Sequence, residues 1–124
     1  GARIKEGIYR AKISKIEQLL DADRKLLIEE LGNGEAAFNS VPTAIYSFLR
    51  FHTFSDSVIY AVSLGGDTDT IGAMTGAISG AYYGEEAIPP EWLSALAKAE
   101  DEGRKGLRYI EWLGDELYRI KFKI

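Results

Sequence analysis

The stretch Gly65-Gly66-Asp67-Thr68-Asp69-Thr70-Ile71 interrupts a long apolar run and decides how the chain is read. From Ser57 to Tyr83 the only charged residues are Asp67 and Asp69. On hydropathy alone that span looks membrane-like. The Gly-Gly-Asp-Thr-Asp turn divides it into pieces shorter than the roughly 20 residues a spanning helix needs, and carboxylates at mid-membrane are costly. The span therefore reads as two buried helices meeting at a polar turn, with no membrane partner expected. Apolar–polar alternation is absent elsewhere, and the apolar spacings are helical. The predicted class is all-α.

Working outward, a helix before the turn carries Val58, Ile59, Ala61, Val62 and Leu64, capped by Ser55 or Asp56 and stopped by Gly65-Gly66. The helix after it begins near Asp67 to Asp69 and ends at Gly84. Upstream, a helix follows Ser40, with Pro42 tolerated in its first turn, and runs to about His52. Gly32-Asn33-Gly34 reads as a turn with positive-φ potential. Asp23 caps a helix through Leu31. The first segment, about Ile4 to Leu20, has near-helical apolar spacing. Downstream, Pro89-Pro90 starts a helix near Glu91 to Ala99, and a last one takes Arg104 to about Phe122. Its apolar side is Leu107, Ile110, Trp112, Leu113, Leu117 and Ile120. The basic tail of Arg119, Lys121 and Lys123, mixed with Ile120, Phe122 and Ile124, reads as the end of that amphipathic helix.

Gly72, Gly76 and Gly80 recur every four residues after the turn, leaving one helix face almost free of side chains. A mid-helix glycine costs about 1 kcal/mol relative to alanine. Close approach of another helix backbone is the expected compensation.

Composition narrows the function. With 124 residues and 46% hydrophobic side chains, a packed core is expected rather than disorder. A net charge of −4 offers no general basic field for nucleic acid. The absence of cysteine removes disulfides, thiolate catalysis and cysteine zinc sites, and fits a reducing, cytoplasmic setting. The first residues, Gly-Ala-Arg-Ile-Lys-Glu, resemble no targeting segment and lack an initiating Met. The chain is expected to be processed, trimmed or an excerpt of something longer.

Asp67 and Asp69 sit two apart where a loop becomes a helix, so their carboxylates can converge before the helix is wound. Thr68 and Thr70 add hydroxyls. An oxygen cluster without His or Cys suits Mg²⁺, Mn²⁺ or Ca²⁺. The competing reading is capping, because Asp and Thr are favoured at helix N-termini and the dipole stabilises acids there. Spacing alone leaves both open. Mg²⁺ takes about six oxygens, so waters, substrate or residues outside this chain must complete the shell. An EF-hand calcium loop is not matched, since the distal glutamate is missing.

Gly-Gly-Asp-Thr-Asp-Thr-Ile (65–71), followed by Gly76-Ala77 and Gly80-Ala81-Tyr82-Tyr83-Gly84, resembles the C-terminal metal motif of the ADP-ribosylglycohydrolase family. That family includes the dinitrogenase reductase-activating glycohydrolases and the ADP-ribosylhydrolases. Leu31-Gly32-Asn33-Gly34 and Ser40-Val41-Pro42-Thr43-Ala44-Ile45-Tyr46-Ser47-Phe48-Leu49-Arg50 are similar to the type that acts on serine-linked ADP-ribose. The likeness covers about Leu26 to Trp92 well and the two ends loosely.

The resemblance implies an orthogonal all-α bundle, with residues 1–124 as its C-terminal portion, and two Mg²⁺ (or Mn²⁺) ions orienting the ribose of ADP-ribose for cleavage at its anomeric carbon. Asp67 and Thr70 would bind one ion, and Asp69 would bridge both. Glu35 would fall at the adenosine contact, where the serine-linked type carries an apolar residue. The family's N-terminal Gly-Asp-Asp-Thr-like motif and its functional glutamate have no counterpart here. The acid pairs Glu29-Glu30, Glu85-Glu86 and Asp115-Glu116 read as helix surface and solvated loop.

His52 reads as a helix-end or surface residue, Trp92 and Trp112 as core or partner-facing, and Tyr82-Tyr83 as core, with cleft lining as the alternative. Two functions compete. One is a hydrolase piece acting on ADP-ribose or an ADP-ribosylated protein. The other is a non-catalytic helical remnant, or an interaction module that docks a separate N-terminal-half chain.

Overall fold

A computed structural model describes residues 2–123. Its regular elements are helices: α1 (Ala2–Lys15), α2 (Arg24–Leu31), α3 (Ala37–Arg50), α4 (Phe54–Val62), α5 (Thr68–Tyr83), α6 (Pro90–Asp101) and α7 (Leu107–Phe122). Short 3-10 turns lie at Glu17–Leu19 and Glu85–Ala87. The all-α class holds. No helix among the described residues is long and apolar enough to cross a membrane. Ile124, read above with the basic tail, lies outside the described residues.

Two compact units divide between Ala87 and Ile88. In the first, α5 packs mainly on α4 and α3. One core cluster gathers Ile16, Leu19, Leu27, Leu31, Tyr46 and Leu64, and a second gathers Ala44, Ala61 and Ile71 with Met74 against it. The Tyr46 hydroxyl is buried and donates to the Leu19 carbonyl at 2.7 Å. Burial raises the pKa of both Tyr46 and its neighbour Tyr60, the latter to about 12. The second unit is α6 packed on α7. There Glu100 Oε1 accepts from the Tyr109 N–H at 3.1 Å, at the start of α7. The apolar side expected for α7 contains no buried residue.

Several boundaries move, each for a local reason. The first helix stops at Lys15, and a 3-10 turn carries the chain to Leu19. The third begins at Ala37 rather than after Ser40, so Pro42 lies inside it instead of in its first turn. The α4 cap is Thr53, whose Oγ1 accepts from the Asp56 N–H at 3.1 Å, and not Ser55 or Asp56. The last helix starts at Leu107, past the expected Arg104. Asp23 caps α2 as expected, accepting from the Leu26 N–H at 2.8 Å. Tyr82 is 72% exposed, against its reading as core.

The glycine face of α5 meets side chains, not the backbone approach expected from sequence. A Cβ at Gly72 would stand 2.5 Å from Val62 Cγ1, at Gly76 3.9 Å from Val58 Cγ2, and at Gly80 3.8 Å from Phe54 Cε2. Phe54, Val58 and Val62 are a four-residue ridge of α4 laid into the four-residue groove of α5, a ridge-into-groove contact. Only Gly72 is sterically required. Gly76→Ala and Gly80→Ala are expected to stabilise by about 0.5–1 kcal/mol each, the helix-propensity gain. Gly72→Ala must displace a stiff β-branched side chain and is expected to destabilise by about 1 kcal/mol net. Urea denaturation of the three variants checks this, and a common sign at all three positions would sink it.

Candidate metal centre

Leu64, 3% exposed, anchors the end of the α4–α5 turn in the core. Gly65 and Gly66 follow with φ of 74° and 69°, a region other residues enter only with strain. This double left-handed step aims the chain into α5. The Asp67 N–H then donates to the Asn33 carbonyl at 2.8 Å, and the Ile71 N–H to the Asp67 carbonyl at 3.1 Å, which starts the helix.

Asp67 occupies the N-cap position of α5, but its carboxylate makes no capping hydrogen bond. Asp23 and Thr53 do make that bond on their helices, so the contrast is internal to the molecule. Asp69 Oδ1 accepts from the Thr70 N–H at 3.0 Å. A hydrogen bond between the Asp67 and Asp69 carboxyls, followed by the backbone N–H groups of Thr70 and Asp69 itself, holds the Asp69 carboxyl below its ordinary range. Asp69 and Thr70 are exposed, and Asp67 is half-buried. One turn thus presents two adjacent carboxylates and a hydroxyl to solvent.

That donor set is all oxygen, which fits Mg²⁺ or Mn²⁺ and not a soft metal. Asp67, Asp69 and Thr70 are the residues that would hold it. The set is also partial, since no group of three or more His, Cys, Asp or Glu side chains placed to hold an ion occurs among the described residues.

Glu35 lies exposed on the loop between α2 and α3, the same loop whose Asn33 bonds to Asp67. His52 is exposed between α3 and α4 and borders a shallow cleft of about 230 Å³ with Phe48, Phe51, Tyr82 and Tyr83. Within the acid pairs, Glu30 meets Lys15 at 2.7 Å and Glu116 meets Arg119 at 2.8 Å, both as surface ion pairs.

Two residues that organise this region were not singled out by sequence. Asn33 was visible as a turn residue between glycines and within the Leu31-Gly32-Asn33-Gly34 likeness, with no role of its own. Lys12 gave no signal, because its partners are distant in sequence. Its ammonium donates to the carbonyls of Leu31 and Phe38 and to Asn39 Oδ1, each at 2.7 Å.

The family model described as ADP-ribosylglycohydrolase matches residues 2–121. The chain is 48% identical to ADP-ribosylhydrolase ARH3 of Homo sapiens, with 94% of this chain and 34% of that protein covered. Against ADP-ribosylhydrolase ARH3 of Mus musculus the identity is 41%, covering 94% of this chain and 33% of the relative. The ADP-ribosyl-[dinitrogen reductase] glycohydrolase of Rhodospirillum rubrum is 40% identical over 54% of this chain and 23% of its own length. The chain spans about a third of the length of the ARH3 relatives it matches. A family-model match over residues 2–121, nearly the whole chain, makes this chain a member of the ADP-ribosylglycohydrolase family.

Proposed function

We propose that this chain supplies one side of a dinuclear Mg²⁺ centre in a hydrolase that releases ADP-ribose from modified proteins, nearest to the type acting on serine-linked ADP-ribose. The observation that carries this reading is the Asp67 carboxylate. It stands at a helix N-terminus, makes no capping bond, and lies against Asp69. In this reading Asp67, Asp69 and Thr70 would hold the ions, Asp69 shared between the two, with Mn²⁺ as an acceptable substitute. When bound, such ions orient the ribose and stabilise charge on its oxygens. Glu35, on the neighbouring loop, faces the adenosine end. The remaining ligands come from a polypeptide equivalent to the other two thirds of the relatives, and the setting is cytoplasmic.

A second reading is a non-catalytic remnant or interaction module that needs an N-terminal-half partner. The absence, among the described residues, of a third His, Cys, Asp or Glu placed to join Asp67 and Asp69 favours it.

Calorimetry with Mg²⁺ and with ADP-ribose separates the two. Weak Mg²⁺ binding is expected, lost at least about tenfold in Asp67→Asn and Asp69→Asn, as removal of a charged ligand predicts. The 124-residue chain alone is expected not to release ADP-ribose from a serine-modified peptide. Robust turnover by it would overturn the half-site assignment. No binding of either ligand would favour the remnant.

A further inference from the structure

We infer that Asn33 is a positioning residue, a latch that fixes the turn carrying Asp67 and Asp69. Asn33 sits on the α2–α3 loop, yet grips the α4–α5 turn at both ends. Its Nδ2 donates to the Leu64 carbonyl at 3.2 Å, and its own carbonyl accepts the Asp67 N–H at 2.8 Å. Between those two bonds Asn33 lies close against Gly66. A Cβ there would stand 2.8 Å from Asn33 Cγ, 2.9 Å from Nδ2 and 2.2 Å from the carbonyl oxygen. The loop beneath the latch is itself braced, because the buried Thr43 hydroxyl donates to the Gly32 carbonyl at 2.6 Å. The turn is therefore held from outside it, at Leu64 by the Asn33 side chain and at Asp67 by the backbone that this side chain anchors. Exposed backbone with two left-handed residues has little of its own to hold it, and the angle between the two carboxylates depends on that backbone.

This inference rests on the metal reading for its consequence, but not for its geometry, and the experiment keeps the two apart. Asn33→Ala removes the side chain, and Asn33→Leu keeps similar bulk without the donor. Arg24→Ala is the control, since Arg24 donates to the adjacent Ser63 carbonyl at 3.1 Å from an exposed position. Hydrogen exchange at the Asp67 amide is measured without metal. Mn²⁺ affinity is then measured from paramagnetic broadening of the amides of residues 67–70, and thermal melting is followed in parallel.

In both Asn33 variants, exchange at Asp67 is expected to rise about five- to tenfold, the factor one lost hydrogen bond supplies. Mn²⁺ binding is expected to weaken several-fold, while the melting temperature tracks the Arg24→Ala control. A purely structural role would lower melting and leave the affinity of the remaining folded chain unchanged, which would overturn the latch. Unchanged exchange at Asp67 would overturn it too. If the wild-type chain shows no Mn²⁺ broadening at residues 67–70, the metal reading falls, and the exchange result alone decides the latch.

Discussion

Gly66→Ala is expected to destabilise the chain by about 3–5 kcal/mol, while Gly65→Ala costs only about 1–2 kcal/mol. The two glycines look interchangeable in sequence and share a left-handed conformation, with φ of 74° and 69°. The strain of placing a Cβ on such a backbone is common to both. What separates them is the neighbour. At Gly65 the nearest atom to a new Cβ is Asn33 Nδ2 at 3.9 Å, an ordinary contact. At Gly66 it is the Asn33 carbonyl oxygen at 2.2 Å, a backbone atom that cannot swing aside. That oxygen also accepts the Asp67 N–H. Relieving the overlap therefore separates the loops and breaks the bond that starts α5. The cost adds conformational strain to overpacking against a fixed group. Urea denaturation of both variants measures the difference, and equal losses at the two positions would sink the argument. Gly66→Ala is also expected to abolish Mg²⁺ binding under the proposed function, since Asp67 loses its tether.

How much of this was legible in sequence depends on the range of each interaction. The start and end of α5 were readable, because Gly65-Gly66 and Gly84 signal backbone that only glycine adopts easily, and Gly84 does end the helix with φ of 85°. The Asp23 cap was readable for the same local reason. The start of α3 was not, because Ala36 at its N-cap makes no side-chain cap bond and leaves no local mark. Ser55 and Asp56 were plausible caps by type, and only the fold reveals that Thr53 holds the bond. The place of Asp67 and Asp69 at the start of α5 was legible from the sequence, but that the Asp67 carboxylate makes no capping bond was not, because that depends on how the backbone enters the helix. The glycine face announced a close neighbour without saying whether it was backbone or side chain. Asn33 and Lys12 act over about 20 to 35 residues of chain, and no periodicity encodes such a contact.

Lys12→Met is expected to cost about 3 kcal/mol, against about 0.5 kcal/mol or less for Lys15→Met on the same helix. Both lysines are long and form short polar contacts, so contact length does not distinguish them. Lys15 meets Glu30 at 2.7 Å across exposed surface, with side chains 49% and 36% accessible, where water replaces either partner at little cost. Lys12 instead spends all three ammonium protons on protein oxygens. One is the Leu31 carbonyl, in the last turn of α2, where helical carbonyls lack partners and positive charge is favourable. Another is the Phe38 carbonyl. In an unbroken helix it would accept from the N–H of residue 42, but Pro42 has none. The lysine replaces the hydrogen bond that the proline removes. Burial, followed by repulsion from Lys15, holds the ammonium below the ordinary lysine range, so this site strains the charge that it uses. Methionine would relieve the burial but leave three part-buried oxygens without their donor, and three unmade bonds outweigh the relief. Helix α1 has no buried residue of its own. Its attachment to α3 therefore depends heavily on this one contact. In Lys12→Met, limited proteolysis should cut first within α1, at protease levels that leave Lys15→Met intact. Equal protection of α1 in the two variants would show that apolar contacts, not the ammonium, hold it.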